Sequence, residues 1–129
     1  MKNVIILMTV LFGFNSSKAQ WYSVNSNTTE NIKDLFMMDS FNGYCVGGGD
    51  EYGFPQGFGI VMKTTDGGNT WSRSFITPFN QLTSVFFVNP NTGYINNAGG
   101  IYKTTDGGNS WSIQQVNPVS TISRIAFVN

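Results

Sequence analysis

The chain has 129 residues, seven basic and seven acidic side chains and no histidine, with 40% hydrophobic and 15% aromatic residues. Balanced charge leaves no electrostatic footprint for nucleic acid or an anionic membrane, and the missing imidazole removes the usual base for a serine or cysteine nucleophile and the commonest metal ligand. Eleven phenylalanines, five tyrosines and three tryptophans can build a core in one domain's length of chain, and fifteen glycines suggest many tight turns.

The N-terminus combines Lys2, an apolar run from Val4 to Phe14, and Ser17-Lys18-Ala19 before Gln20. This is the pattern of a secretory signal peptide over residues 1–19 with a cut after Ala19, and the run is too short for an ordinary transmembrane helix. A buried N-terminal helix is the alternative, but the rest of the chain is β-patterned and offers it no helical partner. No cysteine lies near the cut, which argues against a lipoprotein anchor. The expectation is a secreted, periplasmic or cell-envelope protein, residues 20–129, with no membrane span after cleavage.

Trp21-Tyr22-Ser23-Val24 opens the remaining chain as a strand over residues 21–25. Next come three matching apolar segments: Ile32 to Met38, Leu82 to Val88 and Ile122 to Val128. Each reads as a first strand, apolar on both faces towards its ends, as strands buried between sheets are. Polar turns ending in Gly43-Tyr44 and Gly93-Tyr94 lead into second strands. Cys45 follows Tyr44 where the second copy has Ile95, so it reads as a small buried hydrophobe, and being alone it forms no intramolecular disulfide.

Lys63-Thr64-Thr65-Asp66-Gly67-Gly68-Asn69-Thr70-Trp71 then returns forty residues later as Lys103-Thr104-Thr105-Asp106-Gly107-Gly108-Asn109-Ser110-Trp111, identical at every position but one. The strand-like residues before and after each copy, with Asp-Gly-Gly-Asn between, read as a β-hairpin. Adjacent glycines accept positive φ, and an Asp side chain can accept backbone N–H groups just downstream. Trp71 and Trp111 are expected as hydrophobic anchors whose indole N–H needs a partner if buried. Trp21 precedes Ile32 by the spacing at which Trp71 precedes Leu82 and Trp111 precedes Ile122, which makes it their counterpart. Self-similarity at such a period marks a repeat architecture.

The pattern Thr-x-Asp-x-Gly-x-Thr/Ser-Trp, carried by Thr64, Asp66, Gly68, Thr70 and Trp71 and again by Thr104, Asp106, Gly108, Ser110 and Trp111, resembles the Asp box of bacterial neuraminidase repeats. That resemblance implies a β-propeller, with the Asp box on the hairpin between the third and fourth strands of a blade and usually away from the active face. The order of apolar first strand, Gly-Tyr turn, Gly-rich link and Asp box resembles most the photosystem II assembly-factor type of repeat, which also occurs in exported bacterial proteins. The expected fold is therefore all-β, in blades of four antiparallel strands. It comprises a closing last strand at 21–25, complete blades at 31–76 and 81–116, and the start of a further blade at 120–129. Closed propellers need about four to eight blades, so this is a partial propeller. The expectation is that the natural product continues, with assembly of copies through open blade edges as the alternative.

Between its second and third strands, blade one carries Gly48 to Gly59, about ten residues more than blade two, and this loop is the candidate binding site through Asp50, Glu51, Tyr52, Phe54 and Phe58. Its aromatics could stack on a sugar or a peptide; the competing reading is a tolerated extension folded back on the blade. Resemblance to sialidases implies an arginine triad, a Tyr–Glu nucleophile pair and an acid/base Asp, but the chain has only Arg73 and Arg124, and Glu30 and Glu51 are its only glutamates. Asp66 and Asp106 are committed to turns and offer too few oxygen ligands for calcium. No catalytic residue, metal or cofactor is expected. Asn27-Thr28-Thr29 matches a glycosylation sequon, which matters only in a eukaryotic secretory pathway. The reading is a non-catalytic exported scaffold or protein-interaction module whose partner is an unknown protein or glycan. The alternative is a fragment of a sialidase- or xyloglucanase-like propeller, or a glycan-binding module.

Overall fold

The computed structural model describes residues 3–8, 20–49, 58–77, 81–114, 122 and 124–126. Among them every regular element is a strand: β1 (Asn3–Met8), β2 (Gln20–Asn25), β3 (Asn31–Met37), β4 (Gly43–Gly49), β5 (Phe58–Thr64), β6 (Ser72–Thr77), β7 (Leu82–Phe87), β8 (Gly93–Asn97), β9 (Gly100–Thr104) and β10 (Ser112–Gln114). They form two four-stranded antiparallel sheets, β3-β4-β5-β6 and β7-β8-β9-β10, and a two-stranded pair, β1-β2. Within each sheet every strand pairs with the next in the chain, as antiparallel strands joined by short turns do. Part of the N-terminal apolar run is thus a strand, β1, rather than a helix; the cleavage site lies outside the described residues.

Alternation along the strands decides which face each side chain meets. In β4 and β5, Cys45, Ile60 and Met62 enter one apolar cluster with Val24, Phe58 and Trp71, while Tyr44, Val46 and Val61 enter a second with Leu82, Val85, Phe87 and Ile95 of the other sheet. The second cluster is the interface between the sheets. Strict alternation does not explain the first strands, where Ile32 and Leu35 share a face although an odd number of positions separates them. A register shift between Ile32 and Asp34, repeated between Leu82 and Ser84, supplies the missing step. A bulge places one extra residue in the strand and restores the apolar set to one side.

The insertion in the first sheet is shorter than its sequence suggests. Gly48 and Gly49 lengthen β4, and Phe58 and Gly59 begin β5 opposite them. The pairing is close: Gly48 has φ 146°, and a Cβ there would lie 1.8 Å from the Phe58 carbonyl oxygen. Glycine alone fits.

Candidate functional site

Both Asp-box turns have the same internal wiring. Thr64 Oγ1 donates to Asp66 Oδ1 at 2.8 Å and accepts the Gly68 N–H at 2.8 Å; Asp66 Oδ1 also accepts the Thr70 N–H at 2.9 Å, and its Oδ2 accepts the Thr70 hydroxyl at 2.6 Å. Thr104, Asp106, Gly108 and Ser110 repeat the set at 2.7, 2.9, 2.9 and 2.5 Å. Gly67, Gly68, Gly107 and Gly108 all have positive φ, as the turn chemistry requires. Hydrogen bonds from Thr70, first its hydroxyl and then its N–H, hold the Asp66 carboxyl below its ordinary value; the same bonds from Ser110 bring Asp106 down to about 2. Carboxylates so engaged are turn supports rather than acids or bases.

The two tryptophans part company. Trp111 donates its indole N–H to the Gly108 carbonyl at 3.2 Å and meets Phe87 edge-on. Trp71 is buried at 9% exposure, and its Nε1 has no hydrogen-bond partner among the described residues. The expected partner is present in one copy only. The side chain of Trp21 lies outside the described part of β2.

The candidate binding loop does not hold together as read from sequence. Phe58 is a β5 core residue, 5% exposed, with Arg73 Cζ 6.0 Å from its ring centroid. In the sequence, the Gly-rich stretch on both sides of Phe58 hides the start of the strand. Asp50, Glu51, Tyr52 and Phe54 lie outside the described residues. Cys45 is fully buried, and burial pushes its thiol up to about 12, which suits a packing role and not a nucleophile. Among the described residues no cluster of three or more His, Cys, Asp or Glu side chains could hold a metal, and no helix is long and apolar enough to cross a membrane.

No protein-family model matches the chain, and a search of curated proteins finds no match. Among solved structures, the chain is similar to YCF48 in a structure of YCF48 bound to D1 peptide, at 30% identity with a TM-score of 0.61. The match covers 74% of this chain and 30% of that one, so the chain spans about a third of the length of its structural relative. The described residues form two blades of a β-propeller. Blade one is β3 to β6, and blade two is β7 to β10.

Seen as blades, the molecule shows contacts between them that sequence reading missed. Asp34, at the β3 bulge, reaches across with Oδ2 to accept the Ser84 hydroxyl and the Val85 N–H, each at 3.0 Å. Ser84, its equivalent in β7, in turn accepts the Ile125 N–H at 3.3 Å. At the Asp-box end, Tyr44 OH and Lys63 Nζ of blade one both donate to the Gly107 carbonyl of blade two, at 2.7 and 3.2 Å, while the Tyr44 ring stacks on Phe87 at 4.0 Å. The signal was in the repeat itself, since Tyr44 and Lys63 recur as Tyr94 and Lys103. Sequence reading also passed over Phe41, which stands 64% exposed on the β3–β4 turn beside the blade-one Asp box, where its carbonyl accepts the Gly67 N–H.

Proposed function

We propose that the chain is a non-catalytic propeller segment that acts as a scaffold for binding an extended protein segment, and that it does so outside the cytoplasm after removal of residues 1–19. The observation that carries this reading is the similarity to YCF48, whose structure holds a D1 peptide. The photosystem II assembly-factor-like order of strands and Asp boxes supports it, and the burial of Phe58 weakens the glycan-stacking alternative by removing one of its three aromatics. Removal of residues 1–19 would bear on the same reading. β1 is the antiparallel partner of β2, so cleavage after Ala19 would strip that partner and leave a strand edge of the kind to which extended peptides add.

The test is fluorescence polarisation of a labelled D1 peptide with residues 20–129. Saturable binding with a Kd on the order of micromolar is the expected result, typical of a small peptide interface. Two variants then locate the surface. Phe41→Ser weakens binding if the Asp-box rim carries it, and Tyr52→Ala with Phe54→Ala weakens it if the loop of blade one does. No saturation with this or with unrelated extended peptides up to about millimolar would end the reading. Exported protein whose intact mass still includes Met1 would refute the cleavage independently.

A further inference from the structure

Among the described residues β1 belongs to neither blade. Its hydrogen-bonded neighbour is β2, and the two form a sheet of their own, with Asn3 opposite Asn25, Val4 opposite Val24 and Met8 opposite Gln20. β2, by contrast, is anchored to blade one. Val24 is buried in the cluster with Cys45, Phe58 and Trp71, and beyond the strand the alternation continues, with Ser26, Thr28 and Glu30 buried and the residues between them exposed. The Glu30 carboxylate closes this stretch on Arg73 of β6, at 3.7 Å. β2 is therefore held to blade one by side chains, whereas its backbone carries β1. Taking β1 away removes hydrogen-bond partners from an edge and leaves the edge in place. The edges of β3, β7 and β10 are poorer templates: bulges interrupt β3 and β7, the Asp34 carboxylate already takes the Val85 N–H, and β10 has three residues.

We infer that residues 3–8 are a built-in occupant of a peptide-binding edge on β2, so that the uncut chain is masked and the chain cut after Ala19 binds. This rests on the reading of the chain as a scaffold for an extended protein segment, and it names the site and its control. The occupant also defines the ligand. β1 reads Asn3-Val4-Ile5-Ile6-Leu7-Met8, without a charge, so the matching ligand is an extended, uncharged, apolar segment of another protein that adds antiparallel to Gln20–Asn25. Residues 9–19 join the two strands, and a tether of that length gives an effective concentration on the order of millimolar, so a competing peptide binds the uncut chain at least about tenfold more weakly.

The test uses a fluorescein-labelled peptide with the sequence from Lys2 to Thr9 and three proteins: residues 1–129 made without export and so uncut, residues 20–129, and the uncut chain carrying Ile5→Pro with Ile6→Pro. Of two adjacent N–H groups in a strand one faces the partner, so the double proline releases β1 whichever it is and leaves both blades untouched. The probe should saturate residues 20–129 and the proline variant with similar Kd, bind the uncut parent at least about tenfold more weakly, and be displaced by unlabelled D1 peptide. The proline variant keeps the test decisive should residues 20–129 fold poorly. Equal affinity for the cut and uncut chains overturns the inference, as does a probe that binds neither residues 20–129 nor the proline variant. D1 peptide that binds all three proteins alike ends the mask and leaves peptide binding standing. A bound probe that neither D1 peptide nor unrelated apolar peptides displace sinks the peptide reading, and the inference with it.

Discussion

The two blades share their register and their Asp boxes, yet they use the middle of the sheet differently. Blade one faces its neighbour with Val46 and Val61, sealed in an apolar cluster with Leu82, Val85 and Ile95. Blade two has Asn96 where Val46 stands: Val46 lies opposite Asp34 in its sheet, and Asn96 opposite Ser84. Asn96 is fully buried and spends its amide group on Thr83 Oγ1 and the Ile122 carbonyl, at 2.9 and 2.5 Å. The difference teaches that the repeat fixes the polar contacts at the rim and at the bulge, while the central face is free to change from apolar to polar according to what it must hold. At the central face, dispersed burial joins blade one to blade two alongside the hydrogen bonds of the rim and bulge, whereas directed amide hydrogen bonds hold the segment after blade two.

The most damaging way to break that contrast is to impose one blade's chemistry on the other. Val46→Asn places an amide in the apolar cluster between the blades and should destabilise the chain by about 3 kcal/mol, read by urea denaturation. The reverse change, Asn96→Val, loses the two amide hydrogen bonds but also removes an unsatisfied buried oxygen, so its cost should stay within about 1 kcal/mol. Similar costs for the two substitutions would show that the faces are not distinct in kind.

How much of this was legible follows from what each feature depends on. The Asp boxes and the four-strand units were readable because turn chemistry and alternation are local, and Asp66-Gly67-Gly68 can do little else. The bulges were not, because an extra residue such as Lys33 cannot be told from an in-register one until its partner strand is placed; the first strands consequently looked apolar on both faces. Phe58 reads as loop for a related reason, since the glycines at 48, 49 and 59 look like loop residues until β4 and β5 are seen to pair through them. The Asp34–Val85 and Tyr44–Gly107 contacts join residues far apart in the chain, and only the recurrence of Tyr and Lys hinted at them. The partner was not legible at all, because repeats encode blade-to-blade contacts and not the ligand.

A gentler probe sharpens the comparison at the rim. Tyr44→Phe keeps the stack on Phe87 and deletes only the hydroxyl that reaches Gly107. The carbonyl keeps Lys63 as a donor at 3.2 Å, so it is not orphaned, and the expected cost is about 1 kcal/mol or less. Lys63→Met alone should cost still less, because its ammonium is the longer and more exposed partner. Together they should cost more than the sum, since the second deletion leaves a buried acceptor with nothing. Strict additivity in urea denaturation would mean that the two donors do not share the carbonyl in solution.

The smallest expected effect concerns what is the same in both blades. The Asp66 and Asp106 carboxyls lie below the ordinary value of 3.8, Asp106 at about 2, because hydroxyl and N–H donors bind the charged form. Their folded pKa is depressed, so the stability they contribute is fully present above the unfolded value and is lost as pH falls through the folded one. Tm should therefore hold from neutral pH down to about 5 and decline between about 4 and about 2. Both carboxyls are open to solvent, so the decline is modest, and Asp39, held down by the Asn42 side chain and by the Phe41 and Asn42 N–H groups, adds to it. Asp66→Asn with Asp106→Asn should start lower at neutral pH and fall less steeply, converging on the parent curve near pH 2, because the variant has already lost the charge that acid removes. Curves that stay parallel across this range would show that the turn is held by the shape of the side chain alone, and the donors at Thr70 and Ser110 would then be indifferent to its charge.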